Sequence, residues 1–111
     1  MSTLSTHVLD TAAGCPAKGM RLSLSNGDGG LIFEGETNAD GRCPEMPKHL
    51  KPGPYRLDFQ VADYFRTRGV SLPKPPFLDL VPIAFGVADE GGHYHVPLLV
   101  SPFAYSTYRG S

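Results

Sequence analysis

The sequence predicts an all-β chain: an antiparallel sandwich of short strands carrying one short helix. Three observations lead there. Apolar side chains recur at every second position in several separate segments, the period of half-buried strands. Turn signals rich in Gly, Asn and Pro separate those segments at regular spacing. A single stretch, Ala62 to Arg68, reads as helix, with Gly69 placed to cap its C-terminal end.

The strands follow in order. Leu4 to Leu9 is the weakest candidate. Met20, Leu22 and Leu24 alternate with Arg21, Ser23 and Ser25, and Leu31 to Glu34 follows the Asn26-Gly27-Asp28-Gly29-Gly30 hairpin loop. Asn38-Ala39-Asp40-Gly41 is a tight turn. Lys51-Pro52-Gly53-Pro54 opens a strand in which Tyr55, Leu57, Phe59 and Val61 alternate with Arg56, Asp58 and Gln60. Pro73-Lys74-Pro75-Pro76 is a loop that no sheet interior accommodates. Val81, Ile83, Phe85 and Val87 alternate with Pro82, Ala84 and Gly86, and Pro82 argues for an edge strand or a bulge. Tyr94 to Val100 and Phe103 to Tyr108 complete the set, joined at Ser101-Pro102.

Length bounds what such a chain builds. With 111 residues it reads as one domain spanning 1–111. A chain of this size buries about two-thirds of its unfolded surface, enough for one modest core. A substrate pocket is then easier to build between subunits than inside one. A net charge of -1 and the lack of a basic run interleaved with aromatics argue against nucleic acid. No stretch approaches the ~18 apolar residues of a membrane span, and no signal peptide is visible at the N-terminus. Cys15 and Cys43 have neither disulfide-framework nor metal-site spacing, so free thiols in a reducing, cytoplasmic setting are expected.

Three groups of residues carry possible chemistry. His93 and His95 stand two apart, so on a strand they share one face. Tyr94, Val96, Leu98 and Val100 form the other, apolar face. His95 therefore points away from the core. His7 opposes Thr6 and Val8 on its own strand. If that strand runs beside the His93–Val100 strand, His7 and His95 share one polar site. The His-x-His pair also suits zinc, but no carboxylate or Cys stands at ligand spacing, and no metal is expected. Arg42 directly follows the Asp40-Gly41 turn, where a guanidinium can grip a carbonyl-rich or anionic ligand through two bonds. The chain closes on Tyr105-Ser106-Thr107-Tyr108-Arg109-Gly110-Ser111, a phenol, a guanidinium and hydroxyls together. Nucleophilic catalysis lacks support: there is no Gly-x-Ser-x-Gly elbow, and neither Cys has a His at local spacing. A phosphate-cradling loop is also absent.

Four blocks resemble the 5-hydroxyisourate hydrolases, the transthyretin-related enzymes of urate breakdown. They are Leu4-Ser5-Thr6-His7-Val8-Leu9-Asp10-Thr11, Thr37-Asn38-Ala39-Asp40-Gly41-Arg42-Cys43-Pro44, His93-Tyr94-His95-Val96-Pro97-Leu98-Leu99 and Tyr108-Arg109-Gly110-Ser111. They occur in family order and span nearly the whole chain. The resemblance implies a transthyretin-like sandwich of eight strands with one short helix, assembled as a homotetramer whose active sites lie where two dimers meet. It implies catalytic roles for His7, Arg42, His95 and Ser111, with His7, Arg42 and Tyr108 holding substrate, and no cofactor. One stretch departs from the family pattern: Pro75-Pro76-Phe77-Leu78-Asp79-Leu80-Val81-Pro82 replaces a run of aromatics ending in Pro.

The implied reaction opens the six-membered ring of 5-hydroxyisourate at the N1–C6 amide, giving 2-oxo-4-hydroxy-4-carboxy-5-ureidoimidazoline. Water must become a nucleophile, an oxyanion must be stabilised and the leaving nitrogen protonated. Histidine suits the proton transfers near neutral pH, and Arg42 suits the oxyanion. The competing expectation is a carrier that holds a flat apolar ligand in the inter-dimer channel. The histidines, arginine and hydroxyls favour a polar purine-derived ring.

Overall fold

The computed structural model describes residues 2–110. Its eight strands and one helix run β1 (Ser2–Asp10), β2 (Cys15–Pro16), β3 (Arg21–Asn26), β4 (Leu31–Glu36), β5 (Gly53–Gln60), α1 (Val61–Thr67), β6 (Leu80–Val87), β7 (Gly92–Val100) and β8 (Tyr105–Thr107). They form two four-stranded sheets ordered β2-β1-β7-β8 and β4-β3-β5-β6. The strand alternation supplies the two inward faces. Leu4, Val8, Tyr94, Val96, Leu98 and Val100 come from one sheet, and Leu22, Leu24, Leu57, Phe59, Val81 and Ile83 from the other. The two-sheet sandwich of eight strands with one short helix expected from the sequence is therefore present. Among the described residues no helix is long and apolar enough to cross a membrane.

The sheets are mostly antiparallel, with one pair that departs from the expected pattern. β1 and β7 run parallel over their whole length, from Ser2 opposite Gly92 to Asp10 opposite Val100. Alternation does not encode strand direction, and a parallel pair needs a long crossover, which here is nearly the rest of the chain. β1 is also longer than Leu4 to Leu9 and sits inside its sheet. The final strand is shorter than Phe103 to Tyr108: Ser101 folds that corner into a turn, its backbone N–H donating to the Ala104 carbonyl at 2.8 Å.

Other local signals hold. Pro82 lies in β6, an edge strand, where its missing N–H faces no partner on the open side. The helix ends at Gly69 with φ +84, where Gly69 N–H donates to the Arg66 carbonyl and Val70 N–H to the Phe65 carbonyl. That pair of bonds is the Schellman closure a glycine permits. Val61, the last apolar residue of the β5 alternation, becomes the first residue of α1. Two polar positions expected outside are buried. Ser25 follows a register shift in β3, and the Asp58 carboxylate takes the Arg56 Nε at 3.1 and 3.2 Å from its two oxygens.

Candidate active site

The site is built on the outer face of β1 and β7. In β1 every even position from Ser2 to Asp10 is buried and every odd position from Thr3 to Leu9 is half-buried. Paired residues in a parallel ladder point to the same face, so the register sets Thr3 beside His93 and Ser5 beside His95. His7 follows two positions after Ser5, on the same face. The shared polar site expected for His7 and His95 thus exists, and the parallel pairing creates it.

Arg42 arrives from a turn pressed against β1. The Asn38 side-chain oxygen accepts N–H bonds from Asp40 and Arg42 at 2.9 and 3.1 Å, and Gly41 N–H donates to the Asn38 carbonyl at 2.9 Å. Buried Thr37 anchors the turn, its Oγ1 donating to the Ala17 carbonyl at 2.6 Å and accepting Met20 N–H at 2.9 Å. Gly41 is required twice. Its φ is +76, and a Cβ there would collide with the Val8 carbonyl oxygen. With no side chain in the way, the Gly41 carbonyl accepts Val8 N–H at 2.8 Å. The next residue, Arg42, then forms an antiparallel bridge with His7 and stays exposed.

His95 is the most constrained member. Ser5 Oγ lies 2.7 Å from its Nδ1, and Gly110 N–H donates to its backbone carbonyl at 2.8 Å. Gly110 lies close against the ring, and a Cβ there would strike Cδ2. Burial lowers the His95 pKa from the ordinary imidazole value, and the nearby Arg42, His93 and His7 push the same way. A neutral ring with an available nitrogen lone pair follows at physiological pH. Among the described residues no three His, Cys, Asp or Glu side chains gather into a group that could hold a metal ion.

This geometry accompanies clear relationships. The model of the HIUase/Transthyretin family matches residues 4–110. The chain belongs to that family. A 5-hydroxyisourate hydrolase of Ralstonia nicotianae is 57% identical over 100% of both chains. The crystal structure of Klebsiella pneumoniae 5-hydroxyisourate hydrolase superposes with a TM-score of 0.88 at 37% identity, covering 100% of both chains. An (S)-allantoin synthase structure superposes with a TM-score of 0.92 at 44% identity, covering 99% of this chain and 44% of the other.

The remaining expected residues of this HIUase/Transthyretin family member divide. Tyr108 is 60% exposed, between Thr107, which pairs with Leu98, and Gly110, which bridges His95. It borders a groove with Arg109, Ile83, Phe85 and Tyr94. Arg109 stacks its guanidinium 4.1 Å from the centre of the Tyr94 ring. Ser111 lies outside the described residues. Cys15 and Cys43 are free, and burial pushes the Cys43 thiol up, away from the reactive thiolate. Sequence reading missed two residues that touch the histidines, Ser5 and Thr3. The signal lay in their parity with His7, and it becomes visible only once β1 is set parallel to β7.

Proposed function

We propose that the chain hydrolyses 5-hydroxyisourate to 2-oxo-4-hydroxy-4-carboxy-5-ureidoimidazoline, and that residues 1–111 act as one domain. The observation that carries this reading is the convergence of His7, Arg42 and His95 on the outer face of β1 and β7. The full-length identity to a 5-hydroxyisourate hydrolase supports it. His7 takes the proton from water as that water attacks the C6 carbonyl. Arg42, exposed beside His7, grips the ring carbonyls and offsets charge on the developing oxyanion. His95 protonates the leaving N1. Tyr108 packs against the flat ring, and Ser111 orients the water. The reaction calls on no cofactor, so added chelator is expected to leave the rate unchanged.

Among the described residues, no sheet or helix covers the outer face of β1 and β7. A homotetramer of two dimers, with these faces lining the channel between them, encloses the substrate and excludes bulk water. A cytoplasmic location suits the two free thiols. The decisive experiment generates 5-hydroxyisourate from urate in situ and follows its ultraviolet decay against a protein-free control. Accelerated decay at catalytic protein concentration is expected. An unchanged rate with stoichiometric protein would overturn the reading.

A further inference from the structure

The outer face of β1 and β7 also carries a chain of hydrogen bonds that this chemistry leaves unused. Thr3 Oγ1 lies 2.6 Å from His93 Nδ1. Ser5 Oγ lies 2.8 Å from His93 Nε2 and 2.7 Å from His95 Nδ1. The four side chains alternate across the strand pair because Thr3 is in register with His93 and Ser5 with His95.

Counting protons restricts the chain to two states. Ser5 has one hydroxyl proton and two imidazole neighbours, so it donates to one and accepts from the other. A neutral imidazole carries one proton, on one nitrogen. In the first state His95 Nδ1–H donates to Ser5, Ser5 donates to His93 Nε2, and His93 Nδ1–H donates to Thr3. His95 Nε2 then presents a lone pair and is a base. In the second state every bond is reversed: Thr3 donates to His93 Nδ1, His93 Nε2–H donates to Ser5, and Ser5 donates to His95 Nδ1. His95 Nε2 then carries the proton and is an acid.

We infer that Thr3, His93 and Ser5 form a proton relay that sets the tautomer of His95, switching its Nε2 between base and acid. The transfer balances. When His95 Nε2 accepts a proton, its Nδ1 proton passes to Ser5, the Ser5 proton to His93 Nε2, the His93 Nδ1 proton to Thr3, and the Thr3 proton to solvent. One proton enters and one leaves, with no net charge left on the relay. The Thr3–His93 bond at the end of the relay is exposed, which gives that outlet. The relay needs a neutral His95, and burial together with the nearby Arg42 guanidinium lowers its pKa in that direction. Ser5 and His93 act through His95 and are positioning residues; this role rests on the hydrolase reading above.

The test uses full-length, 15N-histidine-labelled protein. Ring 1H–15N spectra of His95 report its tautomer directly, and kinetics against pH report its use. His93→Phe and Ser5→Ala are each expected to change the His95 tautomer balance. Each should also lower kcat about 10- to 100-fold, the size of a lost hydrogen bond to a charged or titrating group. KM should change little, the pH profile of kcat/KM should move, and Ser5→Thr should restore both. Unchanged His95 tautomer and pH profile in both variants would overturn the relay. The spectra need no substrate. A protein inert toward 5-hydroxyisourate whose tautomer still follows position 93 would remove the hydrolase reading and leave the relay standing. An active protein with an unmoved tautomer would do the reverse.

Discussion

The two faces of the β1–β7 ribbon are made by the same backbone and differ only by one residue of offset. The inner face presents Leu4, Thr6 and Val8 beside Tyr94, Val96 and Leu98, all buried. The outer face presents Thr3, Ser5 and His7 beside His93 and His95, all half-buried or exposed. Even the polar member of the inner face is internally satisfied, since Thr6 Oγ1 donates to the Val96 carbonyl at 2.7 Å. The outer hydroxyls instead bond to imidazoles. Stability and chemistry are therefore separated at the smallest spacing a strand allows, and neighbouring substitutions should fail in different ways.

That separation can be broken or sharpened by experiment. The largest effects belong to the outer face. His7→Ala should lose about 10²- to 10⁴-fold in activity, the usual worth of a proton-transfer group, and Arg42→Ala about 10²- to 10³-fold, the worth of an oxyanion donor. Melting temperature and assembly should stay near wild type, and steady-state rates with a thermal melt check both. Leu98→Ala attacks the inner face. It should lower unfolding free energy by about 3 kcal/mol in a urea titration through the cavity it leaves. Turnover of the protein that remains folded should change little.

Two smaller effects test the seam between the faces. Gly110→Ala places a methyl against the His95 ring, turning it from Ser5. A loss of about tenfold in kcat is expected, equivalent to one neutral hydrogen bond, with the melt unchanged. The smallest effect is a titration shift. The folded pKa of His95 is lowered and the unfolded value is about 6.5, so below that value the unfolded state binds more protons. The stability it contributes is complete above pH 6.5 and is lost as pH falls from there through the folded pKa. Arg42→Gln removes one cause of the lowering. The His95 titration followed by NMR should then move upward, and an unmoved curve would detach Arg42 from the imidazole.

Much of this arrangement was legible in the residues. Period-two alternation located the cores of β3, β5, β6 and β7, because a half-buried strand writes its burial directly into its sequence. The Asn38–Gly41 turn and Gly69 were legible because only particular residues tolerate their backbone angles. The parallel direction of β1 was not, since reversing a strand leaves its alternation unchanged. The role of Ser5 was hidden with it. Asp58 was misplaced because its burial depends on Arg56 folding back along the same strand, a side-chain choice that no periodicity records. Strand parity and the Asp40-Gly41 turn singled out His7, His95 and Arg42 as candidates, and the family blocks supplied the roles implied for them. They are far apart in sequence and meet only through pairing.

The parallel ribbon has a kinetic consequence. Its partners are 90 positions apart, from Ser2 with Gly92 to Asp10 with Val100. Closing so long a loop costs entropy before any contact returns it, and non-local pairing slows folding. The β4-β3-β5-β6 sheet joins strands nearer in sequence and can form while β7 is still being synthesised. Until β7 arrives, β1 waits with an open edge and its apolar side chains uncovered. Nascent chains stalled before residue 92 should therefore be the aggregation-prone species, and catalytic competence should be among the last properties acquired.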